Sequence, residues 1–356
     1  MKKIKVAIVG VGSISEVHLK SYASINEFEV YAFCDINKER LEYMGNKYGI
    51  TRLYTDEKQM LEELAEIDAV DVCTWNAAHA PCSIMALEAG KHVFCEKPMA
   101  MNAKEAQAMK DAADKAGKVL MIGFVRRFGR DCELVKDFVD EGKLGDIYYT
   151  KATYLRRNGN PGGWFGNKEL SGGGPLIDLG VHVIDMVRYL MGKPNPVAVY
   201  GVTFNKLGNR SDIKEIKEYT SVSAGKNDIC NCEDLATALI RFDNGAVMLV
   251  EASFTLNIKK GDNSVQLFGT KGGTKIADEV ELYTDFGGYL ADVSFSGKTG
   301  LNGDKAFAAE MKNFADSING ISECRNPAED GVLMMQILDA IYSSAECGHE
   351  VQIKLN

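Results

Sequence analysis

Apolar positions in the first 124 residues follow two alternating rhythms. Lys5 to Val9 is a short β-branched run, followed by a glycine turn and a helical stretch through Ser24. Val30–Cys34, Val70–Thr74, His92–Cys95 and Val119–Gly123 are further compact apolar runs. Between them lie stretches of helical period. Asn37–Tyr48 stops at Gly49 and His79–Ala89 stops at Gly90. A third opens at Asn102, with Glu105 three positions on as in a capping box, and closes at Gly117. Strands that read as continuous apolar runs are covered by helices on both faces. Their alternation with helices predicts a doubly wound parallel sheet, a Rossmann-type α/β domain over 1–124.

After Phe124 the pattern changes. Asp131–Gly142 reads as a helix and Ile147–Leu155 as an alternating strand. A glycine-rich stretch, Asn158–Gly174, leads into a strong helix over Leu176–Met191. Ala236–Phe242 and Val247–Phe254 flank Asp243-Asn244-Gly245 and predict a hairpin, with further strands at Ser264–Phe268 and Thr274–Ala277. Helices follow at Lys305–Ile318 and Ala328–Ala345. Residues 125–356 thus read as an α+β domain with an open, largely antiparallel sheet, and the polar stretch Asn205–Asn231 as a mobile loop.

Composition narrows the function. A net charge of -9 argues against a nucleic-acid partner. The basic start Lys2-Lys3-Ile4-Lys5 runs directly into a strand rather than into a signal-peptide apolar region, and no run approaches a membrane span. Nine scattered cysteines read as free thiols of a reducing cytoplasm. The single close pair, Cys230 and Cys232, is spaced too tightly for the usual zinc pairs, so no metal is expected.

The first strand ends in Gly10-Val11-Gly12-Ser13-Ile14-Ser15, a glycine loop with serine at its third position. Following a strand and opening a helix, it predicts a dinucleotide site: one glycine turns, the next lets a pyrophosphate approach, and the helix N-terminus offers free N–H groups. Asp35, ending the second strand, suits the ribose hydroxyls and would repel a 2′-phosphate. NAD is therefore expected over NADP, with Lys38 and Arg40 as the residues that could reverse the preference. Thr74-Trp75-Asn76 and Glu96-Lys97-Pro98 end two more strands and are expected to line the nicotinamide half. His79, at a helix start, reads as a packing or capping residue.

At Glu96-Lys97-Pro98 the chain resembles the glucose-fructose oxidoreductase / inositol dehydrogenase (Gfo/Idh/MocA) family. The glycine loop and the run Gly172-Gly173-Gly174-Pro175-Leu176-Ile177-Asp178-Leu179-Gly180-Val181-His182-Val183-Ile184-Asp185 carry the same resemblance, which covers essentially the whole chain. It implies a Rossmann domain followed by an open-sheet domain, and dimers or tetramers formed through that sheet. It assigns Lys97 to the reacting oxygen and Arg127 to a position that can reach substrate hydroxyls. Trp75 departs from the proline common in the family.

The expected chemistry is oxidation of a sugar, cyclitol or related polyol. Such a reaction needs a proton acceptor beside the hydride acceptor. Asp178 and His182 stand four apart on one predicted helix, with Asp185 on the same face, so Asp178 can orient the imidazole and His182 can serve as base. Arg156, Arg157 and Trp164 precede that helix and are candidates for the pocket wall. Two rival functions remain at this point: an NAD-using glycosidase working by transient oxidation and elimination, and a non-catalytic cofactor-binding regulator.

Overall fold

The computed structural model describes residues 3–208, 210, 213–214, 219–225 and 227–354. The chain divides into two compact units, Met1–Val125 with Asp304–Met335, and Arg126–Gly303 with Gln336–Asn356. The return of 304–335 to the first unit differs from a single cut at 124/125. In that segment Met121 bridges Pro327, and a side chain on Gly331 would collide with Met99 and Ile122.

The first unit is a parallel six-stranded sheet. Its elements are β1 (Ile4–Val9), α1 (Ser13–Ser24), β2 (Phe28–Cys34), α2 (Lys38–Tyr48), β3 (Leu53–Tyr54), α3 (Glu57–Glu63), β4 (Ala69–Val72), α4 (Asn76–Glu88), β5 (His92–Cys95), α5 (Ala103–Ala116) and β6 (Leu120–Ile122). The order β3-β2-β1-β4-β5-β6 reverses direction between β1 and β4, the place where ligands bind in doubly wound sheets. Val6, Ile8, Val70, Val93 and Phe94 are all fully buried, as continuous apolar strands require. The expected caps form. Asn37 and Asn102 accept from the N–H groups three residues on, and Gly49 and Gly117 close their helices in the left-handed conformation.

The second unit carries α6 (Arg130–Asp140), β7 (Ile147–Leu155), α7 (Lys168–Ser171), α8 (Val181–Leu190), β8 (Pro196–Phe204), β9 (Leu235–Phe242), β10 (Val247–Ser253), β11 (Asp262–Gly269), β12 (Gly272–Ile276), β13 (Val280–Phe286) and β14 (Tyr289–Val293). The chain ends in α9 (Gly303–Ile318), α10 (Ala328–Cys347) and β15 (Val351–Gln352). The nine strands are ordered β14-β13-β12-β11-β7-β10-β9-β8-β15 and are antiparallel except for the β7–β10 pair. Ala152, Ile240, Met248, Val250 and Leu267 form the buried face, on which α8 packs. The loop expected over Asn205–Asn231 lies partly outside the described residues; those described there form no helix or strand.

One helix differs from expectation. Leu176–Met191 is not a uniform α-helix: Leu176–Gly180 is a π turn, closed by the Val181 N–H on the Leu176 carbonyl, and only Val181–Leu190 is α-helical. Gly180 ends the wide turn against Ala252 of β10, where a Cβ would stand 3.5 Å from the alanine side chain and 3.2 Å from that of Leu176. Periodicity alone does not distinguish four- from five-residue spacing over a single turn.

Glu57, in the first turn of α3, is buried, and burial pushes its carboxyl up to about 7, with the Cys82 thiol opposing in part. A raised carboxyl contributes nothing unfavourable below the unfolded value near 4.5, and the loss of stability accumulates as pH rises through about 7. Glu57→Gln is therefore expected to remove up to about 3 kcal/mol of the stability lost between these pH values. The measurement is the difference in denaturant-unfolding free energy between variant and wild type; parallel pH profiles would refute it.

Candidate active site

The cofactor half of the site is built on the carboxyl ends of β1, β2, β4 and β5. Gly10 leaves β1 with φ +88°, and a Cβ there would lie 2.8 Å from the Cys73 and Thr74 backbone, so only glycine fits. A Cβ on Gly12, by contrast, would meet nothing within 4 Å. That open space lies over the start of α1, where Gly12 is the N-cap and supplies no capping side chain. The N–H groups of Ser13, Ile14 and Ser15 thus open a helix whose positive end suits a pyrophosphate. The residues fit a dinucleotide.

Asp35 braces this loop. Its Oδ2 accepts the Val11 N–H at 2.8 Å and its Oδ1 the Asn37 N–H at 2.8 Å. Arg40 clamps the loop from the other side, donating through Nε to the Val11 carbonyl at 2.7 Å and through Nη2 to Glu16 at 2.7 Å. Lys47 and Arg40 together hold the Glu16 carboxyl below its usual range. Arg40 is thereby occupied, while Lys38 lies on the surface 3.9 Å from Glu42. Neither is built into a 2′-phosphate site.

Two strand-end turns follow. Thr74 and Trp75 are half-buried and Asn76 is buried at the start of α4. His79 lies between the carbonyls of Pro98 (2.7 Å) and Thr74 (3.1 Å), so it ties the two turns together as a packing residue; burial keeps its ring below the ordinary histidine range. Glu96 is buried and its Oε2 accepts the N–H of Lys97 at 3.2 Å. Lys97 itself is half-buried, and the Lys97–Pro98 bond is cis.

In the second unit, the glycine run before the π turn has a steric reason. A Cβ on Gly173 would lie 2.0 Å from the Tyr342 hydroxyl, and one on Gly174 would lie 2.2 Å from the Glu233 carbonyl. The Glu233 carboxylate accepts the N–H groups of Gly174 (2.9 Å) and Leu176 (3.2 Å) and the hydroxyl of Tyr342 (2.9 Å). It caps the helix that carries Asp178 and His182. Burial raises the Glu233 carboxyl, against the pull of these donors. Asp178 is buried within the π turn and His182 is half-buried in α8, so the pair does not share one regular α-helical face.

The residues expected to contact substrate separate into two groups. Arg127 and Asp185 are buried and face each other, with Nε to Oδ2 at 2.9 Å and Nη2 to Oδ1 at 2.6 Å. This two-point ion pair, rather than a sugar hydroxyl, occupies the Arg127 guanidinium, because a buried charge must be matched where it lies. Arg157 lines a cavity of about 470 Å³ with Asn158, Arg210, Ile213, Lys214, Asn257 and Ile258. Trp164 stacks on Phe165, with centroids 3.9 Å apart, and is not part of that wall. Arg156 turns back onto the Gly159 carbonyl at 3.1 Å. Three functional supports escape the sequence pattern: Arg40 as a loop clamp, Glu233 as a helix cap, and His18. The last lies on the buried face of α1, where a histidine reads as packing.

Glycine loop, open helix N-terminus and switch-point sheet define a dinucleotide-binding α/β protein. Residues 4–124 match the oxidoreductase family with an NAD-binding Rossmann fold, and residues 132–275 match the GFO/IDH/MocA C-terminal domain. The chain is 36% identical over 353 residues to the D-glucoside 3-dehydrogenase of Escherichia coli (strain K12), covering 98% of this chain and 97% of that protein. It is 26% identical over 364 residues to the myo-inositol 2-dehydrogenase of Thermotoga maritima, covering 99% of each. The structure of a levoglucosan dehydrogenase in complex with NADH superposes with a TM-score of 0.87, at 25% identity and full coverage of both chains. The chain belongs to the Gfo/Idh/MocA family, and its cofactor is NAD.

Asp35→Ala is expected to weaken NAD binding and to narrow the preference over NADP, since it removes both the ribose acceptor and the brace on Val11. Titration calorimetry with each dinucleotide measures this. Equal wild-type affinity for the two would sink the role given to Asp35.

Proposed function

We propose that the protein is an NAD-dependent dehydrogenase of ring hydroxyls on pyranosides, with cyclitols as the second substrate class. The observation that carries this is the end-to-end similarity to a D-glucoside 3-dehydrogenase, with Lys97, Asp178 and His182 all present. NAD, when bound, supplies the hydride acceptor. Gly10, Gly12, Ser13 and Ile14 hold its pyrophosphate, Asp35 its adenosine ribose, and Thr74, Trp75, Asn76 and Glu96 its nicotinamide side. Lys97 binds the reacting oxygen. His182 takes the hydroxyl proton in oxidation and returns it in reduction. Asp178, set by the π turn, orients His182.

The matching experiment is a panel of pyranosides and cyclitols with NAD, read as NADH absorbance. Lys97→Ala and His182→Ala are expected to lower hydride transfer by about 10²–10⁴-fold while leaving NAD affinity largely intact. Asp178→Asn added to His182→Ala is expected to cost little more, since both act on one proton. If His182→Ala keeps wild-type single-turnover transfer across pH 6–9, His182 is not the base. Release of an aglycone without net NADH would instead indicate the glycosidase reaction.

The same reading extends to assembly and location. The strand register places Tyr283, Phe268, Tyr149, Leu249, Leu239 and Tyr200 on the sheet face opposite α8, where none is buried and Leu239 and Tyr200 are exposed. A sheet face with this apolar content is a contact surface for a second copy, giving a dimer or tetramer. Leu239→Asp is expected to shift light scattering toward monomer mass; a wild-type protein already monomeric at micromolar concentration would refute the proposal. The nine cysteines are free thiols, which supports a cytoplasmic setting, and no helix among the described residues is long and apolar enough to cross a membrane.

A further inference from the structure

Beneath the nicotinamide-side turn of the first unit lies a charged cluster of which the proposed reaction uses Glu96 alone. His18, on α1, is fully buried. Its Nδ1 is 2.9 Å from Asp71 Oδ2, on β4, and its Nε2 is 2.9 Å from Glu96 Oε1, just after β5. The Tyr22 hydroxyl donates to the same Asp71 oxygen at 3.0 Å, and the Cys73 thiol donates to Asp71 Oδ1 at 3.3 Å. Phe94 and Phe307 close the ring in, with centroids at 5.4 and 5.8 Å. Glu310, on α9, and the buried Cys95 thiol are further ionisable groups that feel the charges of the cluster.

Ionised carboxylates can only accept, so with Asp71 and Glu96 both ionised the imidazole between them satisfies both by donating from both nitrogens. That requires the imidazolium. Charge balance supports it. One cation stands between Asp71 and Glu96, while burial, and then the Glu96 charge, push the Glu310 carboxyl well above its usual range. Burial is the largest single effect and opposes a charge on His18, but Asp71 and Cys73 together overcome it and raise the ring well above the ordinary histidine value. The other oxygen of Glu96 accepts the Lys97 N–H. The carboxylate lies close against Gly123, where a Cβ would stand 3.0 Å from Glu96 Oε1.

We propose that His18 is a positioning residue: a buried imidazolium that locks Glu96 in place and, through it, the turn that presents Lys97. The proposal rests on the role given to Lys97 above. His18 Nδ1, Asp71 and Cys73 also lie within 4.8 Å of one another, a spacing a metal ion could use. However, a metal-bound nitrogen has lost its proton, and here both nitrogens face acceptors. The cluster is an ion-pair clamp joining α1, β4 and the Lys97 turn.

The first test does not involve turnover. In ¹⁵N-histidine-labelled full-length protein, with His18→Gln to assign the signal among five histidines, the His18 ring is expected to keep both N–H groups from pH 6 to pH 9. One deprotonated nitrogen in that range, or one equivalent of tightly bound zinc in the purified protein, overturns the clamp. The second test is kinetic. His18→Gln is expected to lower single-turnover hydride transfer on the order of 10²-fold through misplacement of Lys97, with NAD affinity changed less than about threefold. Unchanged transfer, or loss of NAD affinity instead, overturns the positioning role. If Lys97→Ala proves harmless while the imidazolium is observed, the Lys97 assignment fails and the clamp stands.

Discussion

The backbone of Gly10 crosses the end of β4 so closely that a single added carbon would overlap the Cys73–Thr74 peptide. Much of the cofactor half follows from that approach. It lets β1 end directly over the switch point, it sends Val11 toward Asp35, and it starts α1 with an uncapped N-terminus above open space. A loop standing this close to a neighbouring strand cannot hold its own shape through side chains, so it is braced from outside. Asp35 takes its N–H and Arg40 takes its carbonyls. The charge of Arg40 serves geometry: the arginine is bonded to Val11 and Glu16.

Both units place buried ions where most proteins place hydrocarbon. The His18 cluster and the Arg127–Asp185 pair are each essentially sealed from water. Desolvation makes such groups poor contributors to net stability, and well-packed apolar residues would often do as well. What they contribute is direction. A two-point guanidinium–carboxylate pair fixes the 3₁₀ turn Val125–Phe128 against α8 at one orientation, which an apolar contact of the same area would not define.

The sequence reveals the architecture because its signals are local. Apolar runs, glycine stops and asparagine caps act within a few residues, and most strands and helices of the first unit follow from them; the two-residue β3 and the seven-residue α3 are too short to show such a pattern and escape it. The glycine loop was legible for the same reason, since the tight turn after β1 needs glycine at position 10. Arg127 shows where such reading stops. Its type and position suit a sugar hydroxyl, but its partner is 58 residues away, and no local pattern reveals that Asp185 already holds it. His18 and Glu233 are invisible on the same grounds: one pairs across 78 residues, the other caps a helix across 59.

The π turn at Leu176–Gly180 shows how a long-range partner can decide local geometry. Three glycines and a proline start the helix without committing it to one spacing, and Glu233 then satisfies two N–H groups, those of Gly174 and Leu176, that a regular helix start would leave to a capping side chain. With these N–H groups fixed from outside, the next turn is free to widen. Asp178 lies within that wide turn, away from the position a regular helix would give it, and the carboxylate that holds the start of the turn comes from a distant part of the chain. A residue that shapes the site in this way leaves its trace in the glycines that make room for it, not in its own surroundings in the chain.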